Sequence, residues 1–226
     1  MRIYYVLFIT FLCTFFHAKA QNNHSQSLYV GLNPSRTLFH IFGGYSIDPE
    51  VKYQYKKVLF SAIVGFSNYK SFGRKNITDY SVKGAYYKVG IAYRFDESIS
   101  LTLNYLQGFA NEQGKFHLKN SFGDYFLPFE RTQLRSKGLE LTSDNWISMG
   151  SNFYVIFSPR ITYATAPAIN TYNKPPLDVK LRYMTGIGAN VLATNDGKAW
   201  LTFGFECKLL YNIWSRPIKN KSATQL

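Results

Sequence analysis

The sequence predicts an all-β fold, an antiparallel transmembrane β-barrel of eight strands with ten as the alternative, joined by long external loops and short periplasmic turns. Three observations lead there. Residues 81–108 hold two runs that alternate with a period of two: Ala85, Tyr87, Val89, Ile91, Tyr93 and Phe95 on one face, then Leu101, Leu103 and Tyr105 resuming it after a turn at Asp96-Glu97. Period two is the mark of a strand, because successive side chains leave opposite faces of the pleat. The two faces also differ in kind. One is long, apolar and aromatic; the other is small and charged, with Lys88, Gly90, Arg94, Ser100 and Thr102. That is the division a strand needs when one side meets lipid and the other a polar lumen. Finally, the connections along the chain alternate between long and short, the asymmetry of outer-membrane barrels.

The chain divides into a signal peptide (1–20), a barrel (21–214) and a basic tail (215–226). Arg2, an apolar run over 3–16 and Ala18-Lys19-Ala20 make a cleavable export signal. That run is too short for a spanning helix, which needs about 20 apolar residues. Cys13 does not make a lipoprotein site, because Thr10 and Phe11 before it lack the small residues such a site carries. Cleavage leaves Cys207 as the lone cysteine, which excludes an internal disulfide despite export.

The strands follow in order. Residues 28–32 alternate briefly before Pro34, and Ser35 caps one helical turn over 35–42. In 45–55, Tyr45, Ile47, Val51, Tyr53 and Tyr55 oppose Asp48, Glu50, Lys52 and Gln54, with Pro49 marking a bulge or edge. Lys56-Lys57 turns tightly into 58–66. After the organising hairpin, 111–144 is the longest irregular stretch, of the kind external loops provide. Strand 147–157 follows, then a turn at Ser158-Pro159, a shorter strand at 161–163 and a loop over 167–176. Two long strands, 179–191 and 201–213, close the domain around the hairpin signal Asn195-Asp196-Gly197. This makes nine candidate strands, whereas single-chain bacterial barrels have an even number. Either 28–32 is not a full strand, or the run from 160 to 166 joins a neighbour, or a tenth strand lies within 111–144.

The segments VGLNPS (30–35), EVKYQYKKVLFSAIVGF (50–66) and VKGAYYKVGIAYRF (82–95), behind the signal peptide, resemble a family of small outer-membrane β-barrel proteins of Bacteroidetes-type bacteria. The likeness covers roughly 28–109. It implies an outer-membrane barrel in a Gram-negative bacterium and carries no catalytic residues.

The composition is basic and aromatic, with 18 Tyr and 19 Phe and a formal charge of +13 that becomes +11 once Arg2 and Lys19 are removed. The basic residues are dispersed and the chain is exported, which argues against nucleic acid. The expected partners are outer-membrane lipid and, for the charge, anionic lipid headgroups or acidic surface glycans; the expected state is a monomer. No cofactor, metal or enzymatic activity is expected. His24, His40 and His117 have no partner at a metal-ligand spacing, and Ser61, Ser67, Ser100 and Ser148 have no strand-borne histidine to serve as a base. Gly186-Ile187-Gly188 lies inside an alternating strand with no helix after it, so it is not a nucleotide loop.

The candidate site is the lumen. By parity, Asp48, Glu50, Lys52, Lys88, Arg94, Lys180, Arg182, Glu206 and Lys208 all point inward. Eight strands enclose a space just wide enough for side chains to fill, so these groups must pair or be hydrated. Three acids against six bases predict that Glu206 sits among Lys208, Lys180 or Arg182, with surplus bases giving any passage a preference for anions. The expected function is a largely plugged barrel, structural or partner-binding through its external loops. The alternative is a narrow porin-like channel for small solutes or anions.

Overall fold

The computed structural model describes residues 25–34, 44–71, 77–120, 123–165, 168–170, 183–184, 188–189, 192–193 and 199–217. In chain order its strands are β1 (Ser25–Leu32), β2 (Gly44–Ile47), β3 (Pro49–Tyr55), β4 (Val58–Ser71), β5 (Ile77–Arg94), β6 (Ile99–Asn120), β7 (Gly123–Ser148), β8 (Phe153–Thr165), β9 (Ala168–Asn170), β10 (Tyr183–Met184), β11 (Gly188–Ala189), β12 (Leu192–Ala193) and β13 (Ala199–Pro217). Every neighbouring pair runs antiparallel. The order β1-β3-β4-β5-β6-β7-β8-β13 returns to β1 through a β1–β13 pairing, so eight strands close a ring. β2 and β3 are one stave interrupted at Asp48, since both pair with β4 in a single register. β9 lies against β7 and β12 against β13, and β10 pairs with β11 apart from the ring.

Three tight turns share one end: Lys56-Lys57, residues 95–98 and residues 149–152. Lys56 takes a left-handed φ of 56° there, the backbone a two-residue hairpin requires at its first position. At the opposite end β6 and β7 run on as a long paired hairpin. Residues 111–144 are therefore not an irregular loop: the pairing continues from Ile99↔Asn145 to Asn120↔Gly123. The period-two signal is interrupted there by bulges. Inward positions on β7 are even from Leu134 onward but odd at Phe129 and Arg131, because an irregularity around Gln133 (φ 57°) slips the phase by one residue. β5 has its own irregularity between Thr78 and Ser81, beside Asp79 (φ 53°).

Two further expectations are corrected. The run 147–157 is split by the turn at 149–152, and Ser158-Pro159 is not a turn but the middle of β8. Pro159 lacks a ladder donor, and the β7–β8 pairing is interrupted between Thr142↔Arg160 and Asn145↔Phe157, where Pro159 sits. Within the run 179–191 the described residues, 183–184 and 188–189, pair with each other apart from the ring, and the place beside β8 is taken by β13, which pairs with it from Ala199↔Thr165 to Tyr211↔Phe153. The signal peptide, the 35–42 turn, the Asn195-Asp196-Gly197 hairpin, and the lumen assignments of Lys180 and Arg182 lie outside the described residues.

The wall has inverted polarity. Val89, Ile91, Leu103, Phe203 and Phe205 point outward at 48–50% exposure, or 47% for Phe205, within a belt that also carries Phe60, Phe66, Tyr93, Leu141 and Ile161. Inward positions of the same strands hold Lys52, Ser61, Lys88, Asn104, Thr142, Thr162 and Glu206, all buried. The inward face of the ring is thus lined largely by buried polar and charged side chains.

A neutral ion network across the lumen

The lumen is layered. Near the short turns, Tyr29, Leu59, Ala92, Trp146, Ile156 and Leu210 pack together. Toward the long hairpin, Val82, Leu106, Ala110, Leu134 and Ala164 form a second apolar cluster. Between them lie charges. β5 carries Ala92, Lys88 and Val82 in that order; β7 carries Trp146, then Asp144 and Glu140, then Leu134; β8 carries Ile156, Arg160 and Ala164. Each strand reads apolar, charged, apolar along its inward face.

The charged layer is one connected network. Lys52 Nζ donates to Asp144 Oδ2 at 2.7 Å and lies 3.4 Å from Glu50. Lys88 Nζ donates to Glu140 Oε1 at 2.5 Å and to Glu206 Oε1 at 3.4 Å. Arg160 Nη1 donates to Glu140 Oε2 at 2.7 Å, and its Nε lies 3.5 Å from Glu206. Lys208 sits 3.5 Å from Glu206 and 3.8 Å from both Glu50 and Asp144. Four acids and four bases thus alternate around the ring from β3, β5, β7, β8 and β13. Hydroxyls add to the shells of two of the carboxylates: Ser158 Oγ donates to Asp144 Oδ1 at 2.6 Å, Thr102 Oγ1 to Asp144 Oδ2 at 3.1 Å, and Thr162 Oγ1 to Glu140 Oε2 at 2.9 Å. Buried charges persist when they are paired and hydrogen-bonded, and here no charge stands apart from its counter-charge.

Of the nine residues predicted to line the lumen, Asp48, Glu50, Lys52, Lys88, Arg94, Glu206 and Lys208 are buried inside the ring. Five of them belong to the network. Asp48 accepts from Ser46 Oγ at 2.8 Å. Arg94 sits at the short-turn end, 4.4 Å over the Trp146 ring. It donates to Gln54 Oε1 at 2.8 Å, to the Asp96 carbonyl at 3.0 Å and to the Glu97 carbonyl at 2.6 Å, which fastens the 95–98 turn to the barrel wall. A cavity of about 380 Å³ opens beside it, lined by Tyr29, Lys56, Asp96 and Tyr154 among others.

Sequence reasoning missed Glu140, Asp144 and Arg160, and with them the charge balance. The basic neighbour of Glu206 from the adjacent strand is Arg160, because β8 is the strand that pairs with β13, while the expected Lys180 and Arg182 lie outside the described residues. The predicted surplus of bases does not appear among the described residues of the network. A signal was present: Glu140, Thr142 and Asp144 alternate with Leu139 and Leu141. It lay just past a phase-slipping bulge and before a proline that reads as a turn.

A second buried pair lies further toward the hairpin. Glu112 is fully buried, with Arg131 Nη1 3.1 Å from its Oε2. The outward neighbours at this level, Asn111 and Gln113, are polar and exposed, so the pair stands beyond the apolar belt. Burial pushes the Glu112 carboxyl above its usual range, against the opposing pull of Arg131 and the adjacent Tyr80 hydroxyl. Burial likewise raises Tyr80, and the charge of Glu112 adds to that. His117, at the hairpin, stacks on Phe126 at 4.8 Å and lies 3.3 Å from Asp124. Of the four candidate serines, Ser61, Ser67 and Ser100 are buried inward, while Ser148 is exposed at the β7 end.

No family model and no curated protein matches this chain. Among solved structures it is similar to the crystal structure of Neisserial surface protein A, at 12% identity and a TM-score of 0.39, covering 87% of this chain and 100% of that one.

Proposed function

We propose that the chain is an outer-membrane β-barrel whose lumen is sealed by its own side chains and which works through the long-hairpin end, as a structural element or by binding partners. The observation that carries this reading is the inverted wall: an exposed apolar and aromatic belt outside, and a charge-neutral packed layer inside. In water that arrangement would leave a continuous apolar surface far larger than soluble monomers expose. In lipid each half has its proper surroundings: the belt meets acyl chains, while backbone groups are satisfied around a ring with no edge. Apolar clusters lie on both sides of the ion network, which opposes the passage of hydrated ions along the lumen. The reading assigns the lumen charges an architectural role and no catalytic one.

The test is reconstitution of the refolded chain. Heat-modifiable gel migration and extraction from membranes only by detergent are the expected results, and a chain that stays monodisperse without detergent overturns the membrane reading. Planar-bilayer recordings should show no steady conductance. Discrete, long-lived conductance steps would replace the sealed lumen with a pore.

A further inference from the structure

The apolar belt ends differently at the two ends of the barrel. At the short-turn end the boundary is mixed: Lys56 and Lys57 stand with Asp96 and Glu97. At the long-hairpin end it is basic on β4, β5 and β7. Lys70, Lys83, Arg135 and Lys137 all point outward and are exposed. They are neighbours in the sheet: Lys70 and Lys83 lie on the paired strands β4 and β5, where Asn68 opposes Lys83. Arg135 opposes Phe109, and Lys137 opposes Gln107, on β6–β7. All four stand 12–14 residues along their strands from the short turns, and the row below Lys137 holds Val89, Tyr105 and Leu139, which belong to the belt. Aromatic groups mark the same boundary, with Tyr87 donating to Gln107 at 2.8 Å and the Arg135 guanidinium 5.8 Å over the Phe109 ring.

The charges at this level are not spent within the protein. Among the described residues none of the four basic side chains forms an ion pair, whereas Lys115, farther out on β6, pairs with Asp79 at 2.7 Å. Cations fixed at the depth where acyl chains give way to headgroups attract anionic lipid. Neighbouring strands are about 4.8 Å apart, so the four cations present a band across β4 to β7 wide enough for more than one phosphate.

We infer that this basic band is a docking surface for the phosphate headgroups of anionic membrane lipids in the leaflet at the long-hairpin end. The inference rests on the membrane reading above and adds to it a lipid class and a leaflet. A protein partner would need an acidic face complementary to a band set level with the belt; the lipid headgroups are already at that depth.

The experiment uses the full chain refolded into phosphatidylcholine vesicles that carry trace spin-labelled phosphatidylglycerol or spin-labelled phosphatidylcholine. The wild type should prefer the anionic label by at least about threefold at low salt, and the preference should fade as salt screens the charges. K70Q/K83Q/R135Q/K137Q should bring the ratio close to one, while K56Q/K57Q at the other end should leave it unchanged. Added inorganic phosphate should not compete, since the site is tuned to headgroups held in the bilayer; competition would reassign the band to free phosphate. A wild type without preference, or a four-residue variant that keeps it, overturns the inference. Failure to insert into phosphatidylcholine at all would instead overturn the membrane reading.

Discussion

Phe205 stands outward on β13, half exposed and stacked on Phe157 of β8 with ring centroids 5.8 Å apart. In the middle of the belt an arginine there would have to place its charge among acyl chains. Phe205→Arg should therefore destabilise the barrel by about 2–4 kcal/mol in urea unfolding from vesicles, and parent-like unfolding would refute the outward assignment. Its neighbour Glu206 faces inward among Lys88, Arg160 and Lys208. Glu206→Gln leaves three cations around two fewer anionic oxygens and should cost about 3–5 kcal/mol, as breaking a buried pair does. E206Q/K208Q restores neutrality and should recover most of that loss; a double variant no better than the single one would mean that net balance does not hold the layer together. These residues were legible in the sequence because β3, β5 over 82–94 and β13 over 199–211 alternate without a break, so parity alone placed Glu50, Lys52, Lys88, Glu206 and Lys208. Glu140, Asp144 and Arg160 were not, since parity propagates only as far as an uninterrupted ladder.

The β6–β7 hairpin is where local pattern and fold part company. Its strands hold Gly114, Gly123, Pro128 and a dense mixture of charges, which read as a loop, yet they pair over their whole length. Pairing partners, supplied by the rest of the sheet, override weak strand propensity. The hairpin also carries Glu112, whose carboxyl is held above its ordinary range by burial. A raised folded-state value means that the folded chain binds the proton more tightly than the unfolded one. The stabilisation is then full below the ordinary carboxylate value and lost as pH rises through the raised one. Hydrogen-exchange protection of the 111–134 amides, taken relative to their intrinsic rates at each pH, should accordingly rise on acidification from neutral pH, and Glu112→Gln should flatten that dependence. A profile that keeps its slope in the variant would assign it to other carboxylates.

At the scale of the molecule, the ring is joined where β1 meets β13. Ser27 and Ser215 oppose each other there, with their Oγ atoms 3.0 Å apart. In a Cys207→Ser background, S27C/S215C should oxidise readily and give a form whose gel migration no longer shifts on heating until reductant is added. Absence of the cross-link in folded protein would show that the ring is open at this seam. The fold class, the face assignment and two of the three short turns, at Lys56-Lys57 and at 95–98, were visible in the sequence because each depends on neighbours in the chain, whereas the turn at 149–152 was displaced to Ser158-Pro159. Which run is a stave was not, because it depends on who pairs with whom: 179–191 alternates as well as 201–213 does, but β13 holds the place beside β8.

That seam also dictates how the chain must come together. The residues that meet there are 188 positions apart, and closing so long a loop costs about 4–5 kcal/mol beyond the constant term. Until β13 arrives, β1 and β8 present bare edges, and every earlier contact is only a curling ribbon. Assembly is therefore gated by the docking of β13, and it will be slow, cooperative and vulnerable to edge-to-edge aggregation until the circle is joined.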